Sequence, residues 1–275
     1  MARHFKEVFG AGKVCIGVVH LLPLPGSPGF GGSLSAIVER AHREAALLAK
    51  AGYDGLIVEN YGDLPFLRDK VGPETVASMA IIVREIGGSL QIPVGVNVLR
   101  NDYGAALALA GVCGCEFVRI NVLVGVYATS EGLIQGHPGD VMRLRRQLAP
   151  DTMIFADVLV KHAQPLAATD IGAAALEVVG RGGADCLIVT GPRTGAAPRE
   201  EDLHKVKDRL RNGASTLPVL VGSGVTPDNM EDLLGLSDGM IVGSYIRKHG
   251  RAGEEVDFDR AQEIVGLKKK VEGHK

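Results

Sequence analysis

Tryptophan is absent and aromatic residues fill only 4% of the 275 positions. The chain therefore lacks the stacking platforms with which proteins grip sugar rings or single-stranded nucleic acid, although a nucleotide held by its phosphate stays open. Neither sign of charge dominates. Lys and Arg number 30 against 32 Asp and Glu, a net charge of −2 with the bases scattered among acids, which supplies no field for nucleic acid. The run Lys268-Lys269-Lys270 reads as the solvated end of a last helix, where cations suit the dipole. No apolar run approaches the roughly 20 residues that span a bilayer, and the beginning of the chain has no signal-peptide core. The expectation is a cytoplasmic protein without membrane insertion, at most peripherally associated. Cys15, Cys113, Cys115 and Cys186 show neither C-x-x-C nor zinc-ligand spacing and read as small buried hydrophobes.

What the chain does contain is a phrase written three times. Ala51-Gly-Tyr-Asp-Gly-Leu-Ile-Val58, Gly182-Gly-Ala-Asp-Cys-Leu-Ile-Val189 and Leu236-Ser-Asp-Gly-Met-Ile-Val242 each turn through small residues and Asp into a continuous apolar run. A helix returning to a strand buried on both faces has this form. Eight such strands are predicted at 14–19, 55–59, 94–98, 117–122, 153–158, 186–190, 219–222 and 240–243. Helices alternate with them at 34–51, 73–87, 103–110, 140–148, 171–181, 200–211, 227–234 and 258–271. Pro73 and Pro227 fit first helical positions, and Thr226 fits an N-cap. The pattern specifies an α/β protein, a single (β/α)8 TIM barrel over 1–275, with the barrel core at about 14–250 and a C-terminal helix at about 257–272. Two long connections, 20–33 and 125–139, follow strand C-termini and so lie on the face where such barrels bind ligands, as lids, passive covers or oligomer contacts.

Polar side chains at strand C-termini converge on one cavity, and burying them elsewhere is costly. His20, Glu59, Asn60, Asn97, Arg119, Asn121, Asp157, Lys161 and His162 all sit at or just past such ends. Arg119 and Asn121 share parity, as do Asp157 and Lys161, so each pair can point inward. Glu59 and Asp157 are candidate proton carriers and Lys161 an electrostatic or Schiff-base group. His20, Asn97, Arg119 and Asn121 are candidate substrate contacts. A structural ion-pair cluster of Arg119 with Asp157 or Glu59 is the competing reading. His20 and His162 with Glu59 and Asp157 offer a metal site, yet no compact ligand motif supports it. No metal ligand is assigned, a divalent metal stays open, and no organic cofactor is expected.

A second signal lies in the last quarter. Gly222-Ser223-Gly224 and Gly243-Ser244 end the last two predicted strands, where backbone N–H groups can approach an anion and a short helix beginning near Ser244 would aim its positive end inward. Arg247 or Lys248 would add charge. The loop Thr190-Gly191-Pro-Arg-Thr-Gly195 reads as a mobile flap over that anion or as an ordinary surface loop. Together these predict a phosphorylated small-molecule ligand, and Gly224→Asp is expected to exclude it while leaving the fold intact.

The segment 54–63 (Asp-Gly-Leu-Ile-Val-Glu-Asn-Tyr-Gly-Asp), the Thr-Gly-x-x-Thr-Gly loop and both glycine turns resemble phosphate-binding barrels that include the tryptophan synthase alpha subunit. That likeness implies an acid/base role for Glu59 with assistance from Asp63. Over essentially its whole length the chain more closely resembles the BtpA family of TIM-barrel proteins. The segments 16–28 (Ile-Gly-Val-Val-His-Leu-Leu-Pro-Leu-Pro-Gly-Ser-Pro), 55–66 (Gly-Leu-Ile-Val-Glu-Asn-Tyr-Gly-Asp-Leu-Pro-Phe) and 219–229 carry that resemblance. Two functions follow. One is an enzyme of lyase, aldolase or isomerase type acting on a small phosphorylated metabolite. The other, implied by the family's name, is a non-catalytic biogenesis or stability factor for a membrane complex such as photosystem I, working through partner contacts. Self-association into a homo-oligomer is open under either.

Overall fold

The computed structural model describes residues 5–213 and 215–273, so the domain expected over 1–275 runs past the described residues at 1–4, 214 and 274–275. Helix α1 (Phe5–Phe9) precedes β1 (Val14–His20), α2 (Leu34–Ala51), β2 (Gly55–Glu59), α3 (Pro73–Ser89), β3 (Val94–Asn97), α4 (Tyr103–Cys113) and β4 (Phe117–Ile120). A hairpin of β5 (Val126–Thr129) and β6 (Gly132–Gln135) follows, then α5 (Pro138–Leu148), β7 (Met153–Val158), β8 (Ala163–Pro165), α6 (Ile171–Gly180) and β9 (Cys186–Val189). The chain continues through α7 (Glu200–Asn212), β10 (Val219–Val221), α8 (Met230–Leu236), β11 (Gly239–Val242) and a 3-10 turn (Lys248–Gly250) to α9 (Phe258–Gly273).

Eight strands close in the order β1-β11-β10-β9-β7-β4-β3-β2, every pairing parallel. The repeated acid in the phrase has a role beyond its turn. Asp54, Asp185 and Asp238, each just before a strand, accept the N–H of Cys15, Ile154 and Val219 in the preceding strand at 2.7–2.8 Å, and Glu116 does the same for Val94 at 2.9 Å. Each clamps the register of a neighbouring strand pair where the barrel opens at its N-terminal end.

Alternation along the strands divides the interior into tiers. The lower tiers are apolar: Val14, Ile16, Ile57, Phe117, Met153, Phe155, Cys186, Ile188, Leu220 and Ile241 form one cluster. Helix α1, which the periodicity did not predict, closes this end by packing Phe5 and Phe9 against Phe155 and Phe117. The upper tier continues the same parity with His20, Glu59, Asn97, Arg119 and Asp157, all buried. All four cysteines are buried and reduced, as expected.

Several boundaries differ from expectation for identifiable reasons. The third, fourth and sixth strands stop before 98, 121 and 190 because side chains replace ladder partners there. Asn60 Oδ1 accepts the N–H of Leu99, Asn101 Oδ1 that of Val122 and Ser223 Oγ that of Gly191. Residues 227–229 are not helical: Asn229 accepts from the Thr226 N–H and donates to the Gly224 carbonyl, winding 224–229 into a turn, and α8 starts at Met230. Thr226 is thus no cap and Pro227 no first helical residue. No helix begins at Ser244, where the chain makes a tight turn closed by Arg247 N–H to the Ser244 carbonyl. The loop expected over 125–139 contains the β5–β6 hairpin, which joins β8 in a three-stranded antiparallel sheet over Val122, Tyr127, Ile134 and Val160. Among the described residues no helix is long and apolar enough to cross a membrane.

Candidate active site

At the C-terminal end of the barrel lies a cavity of about 420 Å³ whose floor is the polar tier and whose walls are the loops above it. Glu59, ending β2, is 6% exposed. One of its oxygens accepts from Arg119 Nη1 at 3.3 Å, and the other lies 4.0 Å from His20 Nε2. Arg119 turns the rest of its fork to Asp157, with Nε and Nη2 each 3.0 Å from a different carboxylate oxygen. Burial alone would lower the Arg119 guanidinium's pKa, but Asp157 and Glu59 outweigh it and hold the group firmly charged.

Asn121 donates to Asp157 Oδ2 at 2.8 Å, so both Asp157 oxygens are engaged within the protein and the carboxylate is not among the groups lining the cavity. The ion-pair cluster foreseen as the competing reading is therefore present, with Asp157 beneath it as an anchor. Asp63 is likewise drawn away from the cavity. Its Oδ1 accepts from the Leu24 N–H at 2.7 Å and its Oδ2 from Asn60 at 3.0 Å, which ties the loop after β1 to the loop after β2. Burial raises the Asp63 carboxyl, with these two hydrogen bonds opposing.

His20 lines the cavity, stacked on Tyr61 with ring centroids 4.3 Å apart. Its Nδ1 accepts from the Gly253 N–H at 3.2 Å, which leaves the proton on Nε2, facing Glu59. Burial, then the charges of Arg247, Lys161, Arg40 and Arg119, hold its pKa well below 6.5. In the unfolded chain the imidazole takes up a proton as pH falls through about 6.5, whereas the folded state resists, so stability is lost below that pH. The contribution is about 1 kcal/mol between pH 6.5 and 5.5. His20→Gln should therefore show a flatter decline of melting temperature on acidification than the parent; parallel declines would remove His20 as the cause.

Lys161 lines the same cavity. Its ammonium is lowered to about 8, by burial first and then by Arg119, with Glu59 and Asp157 pulling the other way. Two residues missed in the sequence complete this wall. Arg100, just past β3, reaches the Lys161 carbonyl at 2.8 Å and lies 3.6 Å from Glu131, which the β5–β6 hairpin tip carries over the mouth. Arg100 follows a strand end like the others and was findable on that ground; Glu131 had no local signal, because its position depends on the hairpin.

The glycine turns form the opposite wall, with Gly222, Ser223, Gly224, Gly243 and Ser244 all lining the cavity. The Gly222 N–H goes to the Val189 carbonyl, but among the described residues no protein acceptor takes the N–H of Ser223, Gly224, Gly243 or Ser244. Gly191 is not part of this wall: its N–H is taken by Ser223 Oγ, which in turn donates to the Ala196 carbonyl, so the loop after β9 is stitched to the turn after β10. Arg247 and Lys248 do not reach the anion position. Arg247 is fully buried against Glu44, and Lys248 pairs outside with Glu255. Gly224 has φ +71°, and a Cβ there would collide with the Ala196–Ala197 backbone. Gly224→Asp is therefore a folding lesion and does not test anion binding, contrary to expectation. His162 leans to Thr194, accepting its N–H at 3.1 Å, so His20, His162, Glu59 and Asp157 do not gather round one point; among the described residues no three His, Cys, Asp or Glu side chains converge as metal ligands.

A closed parallel barrel with ionisable groups gathered at its C-terminal mouth defines the (β/α)8 class. The chain belongs to the BtpA family, whose family model matches residues 11–270. It is 44% identical over 269 residues to the photosystem I biogenesis protein BtpA of Synechocystis, covering 96% of this chain and 92% of that one. Among solved structures it resembles phosphoribosyl anthranilate isomerase of Thermococcus kodakaraensis at a TM-score of 0.57 and 13% identity, over 93% and 98% of the two chains. It also resembles a structure described as native KDPGal at 0.59 and 16%, over 94% and 96%. Likeness at that identity establishes the fold and carries no chemistry.

Proposed function

We propose that this protein is a single-domain enzyme acting on a small phosphorylated metabolite by acid–base chemistry of lyase, aldolase or isomerase type. The observation that carries the reading is the wall of four N–H groups without protein acceptors at Ser223, Gly224, Gly243 and Ser244, across a cavity from a carboxylate held in place. Backbone donors of this kind suit a phosphate, and anchoring it there positions the reacting carbons over the floor. Glu59 is the proton carrier, with Arg119 fixing its orientation and the His20 Nε2–H turned toward it at 4.0 Å. Asp157 and Asn121 position Arg119, and Asp63 holds two mouth loops together.

The test is thermal denaturation with inorganic phosphate and a panel of sugar phosphates. A ligand at 100 times its Kd stabilises by about 2.7 kcal/mol, which is about 5–10 °C for a chain this long. Ser244→Asp places a carboxylate beside the N–H groups and should abolish that shift; an undiminished shift in this variant would refute the anion site. A second reading rests on the 44% identity to a protein named for photosystem I biogenesis, namely that the chain supports assembly of a membrane complex by contact. No stabilisation by any phosphorylated compound would favour it. Both hold together if the enzyme supplies a metabolite that the complex requires.

A further inference from the structure

The mouth contains an ammonium without a partner. Arg100 has Glu131, and Arg119 has Asp157 and Glu59, but among the described residues Lys161 Nζ makes no hydrogen bond and no carboxylate lies within 4.0 Å of it. Its root is held firmly nonetheless. The Lys161 carbonyl accepts from Arg100, and β8 follows two residues on in the accessory sheet. Leu159 and His162, on either side of Val160-Lys161, adopt φ of +52° and +58°, a left-handed conformation that costs a non-glycine residue energy and is retained where surrounding structure imposes it. Lys161 hangs from the loop after β7, three strands round the barrel from β11 and three from β2, so it faces the space between the glycine wall and Glu59.

A second unpartnered group lies on the floor. Asp157 only accepts, so Asn121 must turn its NH2 to it; the Asn121 carbonyl then takes the NH2 of Asn97 at 3.2 Å. That chain leaves Asn97 Oδ1, on a residue 1% exposed and lining the cavity, with no donor. A buried acceptor left unmatched has lost its hydration without recompense, a cost that a ligand hydroxyl would relieve.

We propose that Lys161 is an imine-forming nucleophile and that the substrate is a phosphorylated hydroxy-aldehyde or hydroxy-ketone, its carbonyl at Lys161 and a hydroxyl on Asn97 Oδ1. The proposal rests on the phosphate-anchoring reading above and names the substrate class it implies. The neutral amine attacks the carbonyl carbon, forming the Nζ–C bond while the C=O π pair moves to oxygen, which takes up a proton. With that one proton from solvent and a second from the nitrogen, the oxygen leaves as water, its C–O bond broken, and a protonated imine remains. The cationic nitrogen then draws electrons from the adjacent C–H, whose proton passes to Glu59, giving an enamine. With its ammonium lowered to about 8, on the order of a tenth of Lys161 is free amine at pH 7.

The experiment uses the full chain with dihydroxyacetone phosphate, glyceraldehyde 3-phosphate and ribose 5-phosphate, each followed by borohydride, which reduces an imine to a stable secondary amine. Peptide masses then locate the adduct. At least one sugar phosphate should label Lys161 more than tenfold above any other lysine, with inorganic phosphate suppressing the label and Lys161→Arg, which keeps the charge, losing it. Labelling spread over the lysines without excess at Lys161 would overturn the proposal. If phosphate raises the melting temperature and no excess label appears, the imine falls and the anion site stands. Excess label that phosphate does not suppress keeps the imine and removes the anion site.

Discussion

Arg119→Met should lower stability by about 3–5 kcal/mol, the cost of leaving a buried charge without its partner. For a chain of this length that is a fall in melting temperature on the order of 10 °C. Arg119 is 5% exposed and is the only cation bonded to Asp157 and Glu59 among the described residues. Without it two buried carboxylates lose their bonded cation, Asp157 keeping its hydrogen bond from Asn121 and Glu59 the His20 ring at 4.0 Å. The double variant Arg119→Met with Asp157→Leu removes one stranded charge and should recover at least about 1 kcal/mol of the loss. Guanidinium melts of the three proteins measure this directly. A single-variant loss below about 1 kcal/mol would mean that the cluster contributes nothing as a charge pair.

Arg247→Met should cost about as much while leaving phosphate affinity within about twofold, a combination that separates it from the cavity residues. Arg247 is 0% exposed; it bonds Glu44 Oε2 at 2.8 Å and the carbonyls of Glu254 and Val18 at 2.6 Å. It joins α2, the end segment before α9 and the wall of β1. Its removal strands Glu44, which retains only Arg40 at 2.8 Å. Adding Glu44→Leu should recover part of the loss. A tenfold fall in phosphate affinity in Arg247→Met, with stability intact, would restore to this residue the ligand-facing role that its place in the sequence suggested.

Arg247 follows the last barrel strand by five residues, a place that suits an anion-binding residue, yet its neighbours in space are α2 and β1, some 200 positions earlier in the chain. The engagement of Asp157, an expected proton carrier, and of Asp63, expected to assist Glu59, was hidden for the same reason: Asp157 is held by Arg119 and Asn121 at the end of the neighbouring strand, and Asp63 by Leu24 from another loop as well as by Asn60. Gly224 was readable as a glycine turn, but the crowding by Ala196 and Ala197 that makes substitution there destructive arises from the neighbouring loop.

The sequence by itself determined the closed parallel barrel and the ring of polar side chains at its mouth. Both follow from local periodicity: apolar runs bounded by turn residues specify buried strands, and the period of two along each strand fixes whether a side chain faces the interior. His20, Glu59, Asn97, Arg119 and Asp157 fell at strand C-terminal ends, and Arg119 and Asp157 on a parity that could face inward, before any contact was known. The tertiary structure alone decided which of those groups neutralise one another and which remain available. Pairing depends on distances between strands that closure brings together, and a distance of 3 or 4 Å between residues 40 to 60 positions apart leaves no trace in local pattern. Hence Asp157 is occupied, Lys161 Nζ and Asn97 Oδ1 are left without partners among the described residues, and a hairpin invisible to the helical and strand periodicities of the barrel brings Glu131 to the rim.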